Sequence, residues 1–292
     1  MIAQPLVSVV IPVLNGERHL EACLNSIVGQ TYERFEIVVS DQSSSDRSVE
    51  IVRSFADPRI RLLPEPSEPL DLHRNWSRVI AGSTGEFVKL MGQDDLLHPD
   101  CLSIQVDLLG RNPDAVLVCG RRQIINDDDK VLIKARGLGT LAKHGTQVMA
   151  GRQLAHACTR AGANLFGEPV AVMIRRAALH QPLFDTRWIY TIDIAFYFRC
   201  LQDRDAVLDD RVMCSFRVSP KQLSAALAKD QSKEVRAFFS ALALRYPEDI
   251  SASDVRIGKV RARVLAQARR ALYLQMRARK VLAAPKDIAR NT

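Results

Sequence analysis

Four short apolar runs in the first hundred residues, each leading into a polar cluster and then a segment of helical period, constrain the fold more than any other feature. Leu6-Val7-Ser8-Val9-Val10-Ile11 is largely β-branched and stops at Pro12, as expected of a strand buried on both faces. Asn15-Gly16 marks a turn, after which Leu20, Leu24, Ile27 and Val28 recur at helical spacing. Phe35 to Val39 reads as a second strand that runs into Ser40-Asp41-Gln42-Ser43-Ser44-Ser45-Asp46, and Val49, Val52 and Phe55 mark the helix beyond. A third strand at Ile60 to Leu63, a proline-rich loop from Pro64 to Pro69, a helix around Asn75 to Ile80 and a fourth strand at Glu86 to Met91 complete the series. This alternation predicts an α/β fold built on a doubly wound, mostly parallel sheet. Ligands of such sheets bind beyond the carboxyl ends of the strands. Here those ends carry Asn15, the Asp41 cluster and the pair Asp94-Asp95.

Beyond Pro99 the periodicity weakens. Strands are expected at Ala115 to Cys119, Val131 to Ile133, Ala171 to Ile174 and Arg211 to Val218. The glycine-containing stretch from Arg136 to Arg160 reads as a mobile loop, and from about Pro220 the chain reads as helical. The six cysteines are scattered and form no Cys-x-x-Cys pair, which removes zinc ribbons and thioredoxin-type sites. Reduced, buried thiols are the plain expectation. The apolar runs are too short to span a bilayer, and no basic residues precede the first, so the sequence reads as cytoplasmic.

The net charge of +8 belongs to the tail. Residues 229–292 hold 15 Lys/Arg against 6 Asp/Glu, whereas the first 228 hold 26 against 27. The main body therefore has no electrostatic case for binding nucleic acid. Val255 to Val281 contains nine basic residues and no acid, with Ile257, Val260, Val264, Ala268, Leu272 and Met276 at helical steps. Such a helix can lie on an anionic membrane surface, or pack its apolar stripe against the domain. Few aromatics interleave with the charges, against nucleic-acid binding.

Several of these stretches, in order, resemble family 2 glycosyltransferases of the GT-A fold. Val7 to Gly16 resembles the family's opening strand and turn, Glu17 to Tyr32 its first helix with the Gln-Thr-Tyr ending, Phe35 to Asp46 its second strand and Asp-rich turn, and Gly85 to Leu102 its metal-carrying segment. The match runs over residues 6–102 and continues more weakly to about 201. The resemblance implies a nucleotide-sugar-binding half at 1–102, an acceptor-binding half at 103–220 and a basic helical extension at 221–292. It implies transfer of a sugar from a nucleotide-sugar donor, UDP-linked by preference, to a glycan or lipid-linked acceptor, with inversion at the anomeric carbon. A bacterial surface polysaccharide or lipid-linked glycan fits that class, with the protein at the inner face of the membrane.

The resemblance also assigns roles. Asp95 would bind a divalent ion (Mn²⁺ or Mg²⁺) that neutralises the departing diphosphate, and Asp94 would share the ion or contact the ribose. Gly92 stands where many members carry a further acid, which would leave the metal chiefly on Asp95 and the donor. Asp41 would read the base, with Pro12, Val13 and Asn15 lining the same pocket, and Arg74 would contact the nucleotide or its diphosphate. Asp193, in Trp188-Ile189-Tyr190-Thr191-Ile192-Asp193, would take the acceptor proton, with Asp185 and Glu168 as fallbacks. Each has a structural alternative: a loop start for Asp94-Asp95, a turn aspartate for Asp41, a surface arginine for Arg74 and a helix-starting acid for Asp193. No histidine is assigned to the metal. A non-catalytic sugar-nucleotide or glycan binder on the same fold remains open. A dinucleotide-dependent oxidoreductase does not fit, because Pro12-Val13-Leu14-Asn15-Gly16 replaces the Gly-x-Gly-x-x-Gly turn.

Overall fold

A computed structural model describes residues 4–68, 70–138, 141, 145–219 and 231–282. Its first half follows the alternation: β1 (Val7–Val13), α1 (Leu20–Val28), β2 (Phe35–Asp41), α2 (Ser48–Ser54), β3 (Ile60–Leu62), α3 (Leu72–Ala81) and β4 (Phe87–Leu90). The strands lie in the order β3-β2-β1-β4, all parallel. β1 sits at the centre of this group and is covered on both faces, with only Pro12 partly accessible. That burial explains its unbroken apolar run.

The second half extends the same sheet. It contains β5 (Leu96–Leu97), α4 (Cys101–Arg111), β6 (Ala115–Ile125), β7 (Val131–Arg136), β8 (Gln147–Ala150), α5 (Gly151–Ala161), β9 (Val172–Arg175), α6 (Ile192–Leu201) and β10 (Asp205–Arg217). β9 enters antiparallel between β4 and β6, and β6 is parallel to β10, giving the continuous order β3-β2-β1-β4-β9-β6-β10-β5. β7 and β8 add antiparallel edges to β6 and β10. One hydrophobic core runs through both halves. All six cysteines are buried and free.

The stretch from Arg136 to Arg160 is not the loop expected from its glycines. It holds the end of β7, then β8 and most of α5. Gly151 opens α5 because a Cβ there would lie 2.7 Å from the Gln202 carbonyl, so close packing and not flexibility selects glycine.

Two helices close the described chain, α7 (Gln231–Arg245) and the 31-residue α8 (Ala252–Leu282). The part of the expected helical extension over residues 220–230 and 283–292 lies outside the described residues. No helix among the described residues is long and apolar enough to cross a membrane. α8 does not dock through the apolar stripe read from its sequence. Its buried positions are Asp254, Gly258, Ala262 and Ala266, whereas Val260, Val264 and Ala268 face outward. Small residues face α5 because the two backbones touch there. A Cβ on Gly258 would come 1.9 Å from the Thr159 carbonyl, and Gly162, at φ +63°, faces the Gly258 carbonyl. Asp254 anchors the start of the helix by accepting from Arg160 Nη1 at 2.6 Å and from Ser251 Oγ, also at 2.6 Å.

Gly258→Ala tests this seam. Alanine raises intrinsic helix propensity by about 1 kcal/mol, yet the clash should outweigh it and lower stability by roughly 1–3 kcal/mol. Urea denaturation should show an earlier midpoint than wild type; a later midpoint would mean that α8 does not dock through Gly258.

Candidate active site

The crevice forms where β1 outruns β4. Even-numbered residues of β1 bond toward β4: Leu6 O accepts from Phe87 N and Val10 O from Met91 N. The ladder between the two strands ends at Val10 and Leu90. Pro12 is the next residue facing that side, and it has no N–H to leave unpaired. Odd-numbered Val13 continues toward β2, its carbonyl accepting from Gln42 N at 2.8 Å. β1 and β2 thus stay joined while β1 and β4 part, and the acidic loop occupies the gap.

That loop is tied back by Gln93. Its Oε1 accepts from Leu14 N at 2.8 Å and its Nε2 donates to Leu14 O at 3.0 Å, so one side chain imitates a further rung of the ladder. Gly16 allows the approach, since a Cβ there would lie 2.9 Å from the Gln93 amide. Asn15, at φ +50°, accepts from Ser45 N at 2.9 Å, and its own N donates to Ser44 Oγ at 2.8 Å. The ends of β1, β2 and β4 are therefore held side by side, bringing together Pro12, Val13, Asn15, Asp41, Asp94 and Asp95.

Asp95 is 2% exposed. Its Oδ1 accepts from Arg217 N at 2.9 Å, while Oδ2 accepts no hydrogen bond among the described residues. Burial, reinforced by the adjacent Asp94 charge, pushes its carboxyl well above the usual range. An ionised Asp95 thus needs a cation close by. Gly92 lies directly against both acids: a Cβ would sit 2.8 Å from Asp95 Oδ2 and 3.1 Å from Asp94 Oδ1. A third acid at this position would displace the pair as now arranged. No cluster of three or more His, Cys, Asp or Glu side chains is gathered as a metal cage among the described residues. Two adjacent carboxylates, one buried with an open oxygen, nevertheless suit a divalent ion that takes its remaining ligands from phosphate and water.

Asp41 is turned inward to its own loop, with Oδ2 accepting from Ser44 N at 2.8 Å and Oδ1 from Ser44 Oγ at 2.6 Å. It forms the local turn while remaining half-exposed at the strand end. Arg74 stands apart from the acidic loop. Its guanidinium is exposed and pairs with Glu68 at 3.3 Å, at the rim of a cavity of about 350 Å³ lined by Glu65, Ser67, Leu70 and Arg78. The following residue, Asn75, is buried and donates to the Ser40 carbonyl at 3.2 Å, while Arg78 Nη1 donates to Ser40 Oγ at 2.7 Å. α3 therefore fixes the end of β2.

Asp193 lies in the first turn of α6, half-buried, beside a small cavity bounded by Trp76, Leu90, Pro169, Phe184 and Phe196. Leu90, the last residue of β4, forms part of the same wall, which sets Asp193 at the end of the strand that precedes the acidic loop. Its Oδ1 accepts from Ile194 N at 2.7 Å and its Oδ2 from Asn164 Nδ2 at 2.8 Å. Burial outweighs these bonds and, with the charge of Glu168, raises Asp193 to about 7. Glu168 also raises Asp95, so its charge is felt by both acids. Glu168 itself is committed to Arg122: burial alone would raise it, but the guanidinium holds it below its ordinary value. Arg122 is 3% exposed and is threaded between Gly137 (φ +113°) and Gly167 (φ +107°), where a Cβ would lie 2.7 and 2.9 Å from its Nη1. Asp185 is engaged by Arg187 through Nε at 3.0 Å and Nη2 at 2.6 Å, lowering its carboxyl. Both fallback acids are thus spoken for by cations.

Sequence reasoning missed Gln93, Asn164, Arg122 and Arg217. Gln93 had a visible signal, sitting between Gly92 and the acids with both a donor and an acceptor. The other three had none, because their partners are remote in sequence.

Residues 8–181 match the sequence profile described as "Glycosyl transferase family 2". A protein of Mycobacterium tuberculosis (strain CDC 1551 / Oshkosh) described as uncharacterized is 32% identical over 203 residues, covering 68% of this chain and 63% of its own length. The chain thus spans under two thirds of that relative. Among solved structures, S. aureus TarS 1-349 in complex with UDP superposes with a TM-score of 0.60 at 16% identity, covering 83% of this chain and 68% of that one. The mannosyltransferase PcManGT from Pyrobaculum calidifontis, in complex with GDP-Man and Mn²⁺, superposes with a TM-score of 0.60 at 19% identity, covering 97% and 82%. At these identities the likeness concerns the fold.

The raised Asp193 has a consequence for stability. An unfolded Asp ionises near pH 4, so between about pH 4 and 7 the folded state binds the extra proton and stability falls as pH rises. Asp193→Asn removes that proton. Its stability relative to wild type should grow from pH 4 to about 7 and then level off, as read by urea midpoints; a difference independent of pH would contradict the raised carboxyl.

Proposed function

The chain belongs to glycosyl transferase family 2 and has the GT-A fold, and from that premise we propose that it transfers a sugar from a nucleotide-sugar donor to an acceptor hydroxyl. The observation that carries this reading is an acid pair just beyond β4, with Asp95 buried and one of its oxygens open, together with a separate carboxylate held near neutrality beside a cavity that Leu90 of β4 also lines. Asp95, through its open Oδ2, and Asp94 would hold a divalent ion, Mn²⁺ or Mg²⁺. When bound, that ion offsets the negative charge growing on the departing diphosphate. Pro12, Val13, Asn15 and Asp41 would form the wall on which the nucleotide rests, and Arg74, on α3, would contact the nucleotide or its diphosphate. UDP is the preferred nucleotide, in keeping with the UDP bound by the S. aureus neighbour, while the GDP-Man of the archaeal one makes GDP the comparison to run.

Asp193 is the base of this reaction. A carboxylate with pKa about 7 is half-deprotonated at neutral pH and basic enough to accept the hydroxyl proton. As that proton passes to Asp193, the acceptor oxygen bonds to the anomeric carbon from the face opposite the diphosphate. The bond to the phosphate oxygen breaks with its electron pair leaving on the nucleotide, so the centre inverts. Asn164 and Ile194 N keep both Asp193 oxygens aligned. Residues 1–102 make the donor half and 103–220 the acceptor half, and the acceptor class is a glycan or lipid-linked glycan of polysaccharide synthesis.

The tail supplies the place of action. The outward face of α8 carries exposed Val260, Val264 and Leu274, flanked by exposed Arg256, Arg261, Arg263 and Arg270. Apolar insertion edged by cations suits an anionic membrane surface, which would hold the enzyme at the inner face of a membrane. Within the extension 221–292, α7 packs into the core of the catalytic body, and α8 would carry the contact with the membrane.

Two measurements test this account. Nucleotide release from a panel of UDP- and GDP-sugars with MnCl₂ should be lost in Asp95→Ala and in Asp193→Ala, the latter still binding nucleotide. Wild-type turnover should rise with pH through about 7, since the base must be deprotonated. Full activity in Asp193→Ala would remove it as base, and tight donor binding without turnover would favour a binding protein. For the tail, wild type should co-sediment with phosphatidylglycerol vesicles and Val260→Glu/Val264→Glu should not. Equal sedimentation of the two would exclude this face of α8.

A further inference from the structure

Arg217 ends β10, 122 positions after Asp95 in the chain, and its side chain is fully buried. Its hydrogen bonds reach two places among the described residues. Toward the acidic loop, its backbone N donates to Asp95 Oδ1 at 2.9 Å and its Nε donates to the Asp94 carbonyl at 2.8 Å. Toward the β6–β7 turn, Nη1 donates to the Asn126 carbonyl at 2.7 Å and Nη2 pairs with Asp129 Oδ1 at 2.6 Å. The same turn is gripped from the start of α1, where Arg18 pairs with Asp127 at 3.4 Å and His19 lies 3.6 Å from Asp127. Asn126 braces the turn internally, its Oδ1 accepting from Asp128 N at 3.0 Å and Lys130 N at 2.9 Å.

We propose that Arg217 is the positioning residue of the acid pair, and that the Asn126–Asp129 turn acts on the donor site through it. This rests on the reading of Asp94 and Asp95 as the donor site. A planar guanidinium with fixed donor directions can hold the Asp94 carbonyl and two groups of a remote turn at once, while the backbone N–H of the same residue holds the Asp95 carboxylate. A lysine cannot, because its single nitrogen reaches only one of these places. The arrangement makes a turn of the acceptor half part of the support for the donor half. The bond from Arg217 N leaves Asp95 with one oxygen held and one open, the orientation a ligand of the diphosphate's cation requires.

Asp129 gives the gentle test. Its side chain is 63% exposed and its backbone has φ +60°, a conformation asparagine adopts readily, so Asp129→Asn should keep the turn while removing the charge facing Arg217. Calorimetric titration in MnCl₂ would use whichever of UDP and GDP binds wild type more tightly. Asp129→Asn should weaken that binding about five- to tenfold, as for loss of one charge-assisted contact, with the thermal midpoint close to wild type and kcat at saturating donor within about twofold. Arg217→Lys should weaken binding further if it folds. Arg111→Ala, which breaks an exposed pair with Asp107 on α4, should change nothing. Binding by Asp129→Asn within twofold of wild type, while Asp95→Ala abolishes binding, overturns this inference alone. Undiminished binding by Asp95→Ala, or no nucleotide binding by wild type, overturns the donor-site reading and this inference with it.

Discussion

The parting of β1 from β4 after Val10 is the constraint on which the site depends. Parallel strands that run to the same end leave no room between them, and a buried backbone N–H left without a partner costs about 1–3 kcal/mol. Pro12 removes that N–H at the position where the ladder to β4 has ended, while Val13 keeps the ladder to β2. A gap can then open beside a strand that is otherwise buried, with only Pro12 partly accessible. Gln93 closes the gap's inner edge with two bonds to Leu14, so the acidic loop is placed by hydrogen bonds at both of its sides and not by loop stiffness.

Around this gap the charges are sorted by burial and pairing. Glu168 and Asp185 are held ionised by Arg122 and Arg187, which removes them from proton transfer near neutrality. Asp193 has only neutral donors on its oxygens, Asn164 and Ile194 N, and burial therefore lifts it. Asp95 is lifted by burial and by Asp94 together. Carboxyl groups with different neighbours thus acquire different chemistry within one crevice. Glu168 is felt by both lifted acids, so the Arg122–Glu168 pair contributes to the electrostatics of each without presenting a free charge to either.

The C-terminal helix shows how a helical period can be legible while the buried face is not. Ile257, Val260, Val264 and Ala268 recur at helical steps, and a stripe of this kind ordinarily packs inward. Here the close approach of α5 decides otherwise. Gly258 meets the Thr159 carbonyl and Gly162 lies against Gly258 and Ala262, so Val260 and Val264 are turned outward among the arginines. Close contact also explains a glycine at the start of α5, where Gly151 meets the Gln202 carbonyl and marks packing, not mobility.

The sequence by itself determined the α/β alternation, the parallel first half, and the identity of the polar residues at the strand ends, because those follow from local period and from the arrest of a β-branched run at Pro12. It also singled out Asp94, Asp95 and Asp193, through the order of the stretches that carry them. Tertiary structure alone decided which acids are lifted and which are held ionised, since Arg122, Asn164 and Arg217 reach them from remote parts of the chain. It alone decided that β9 enters antiparallel, that Asp41 is turned to Ser44, and that Gly92 lies against both carboxylates in the space a third acid would occupy. Short-range patterns encode the backbone's route; burial and long-range pairing, which no local window contains, set the chemistry of its side chains.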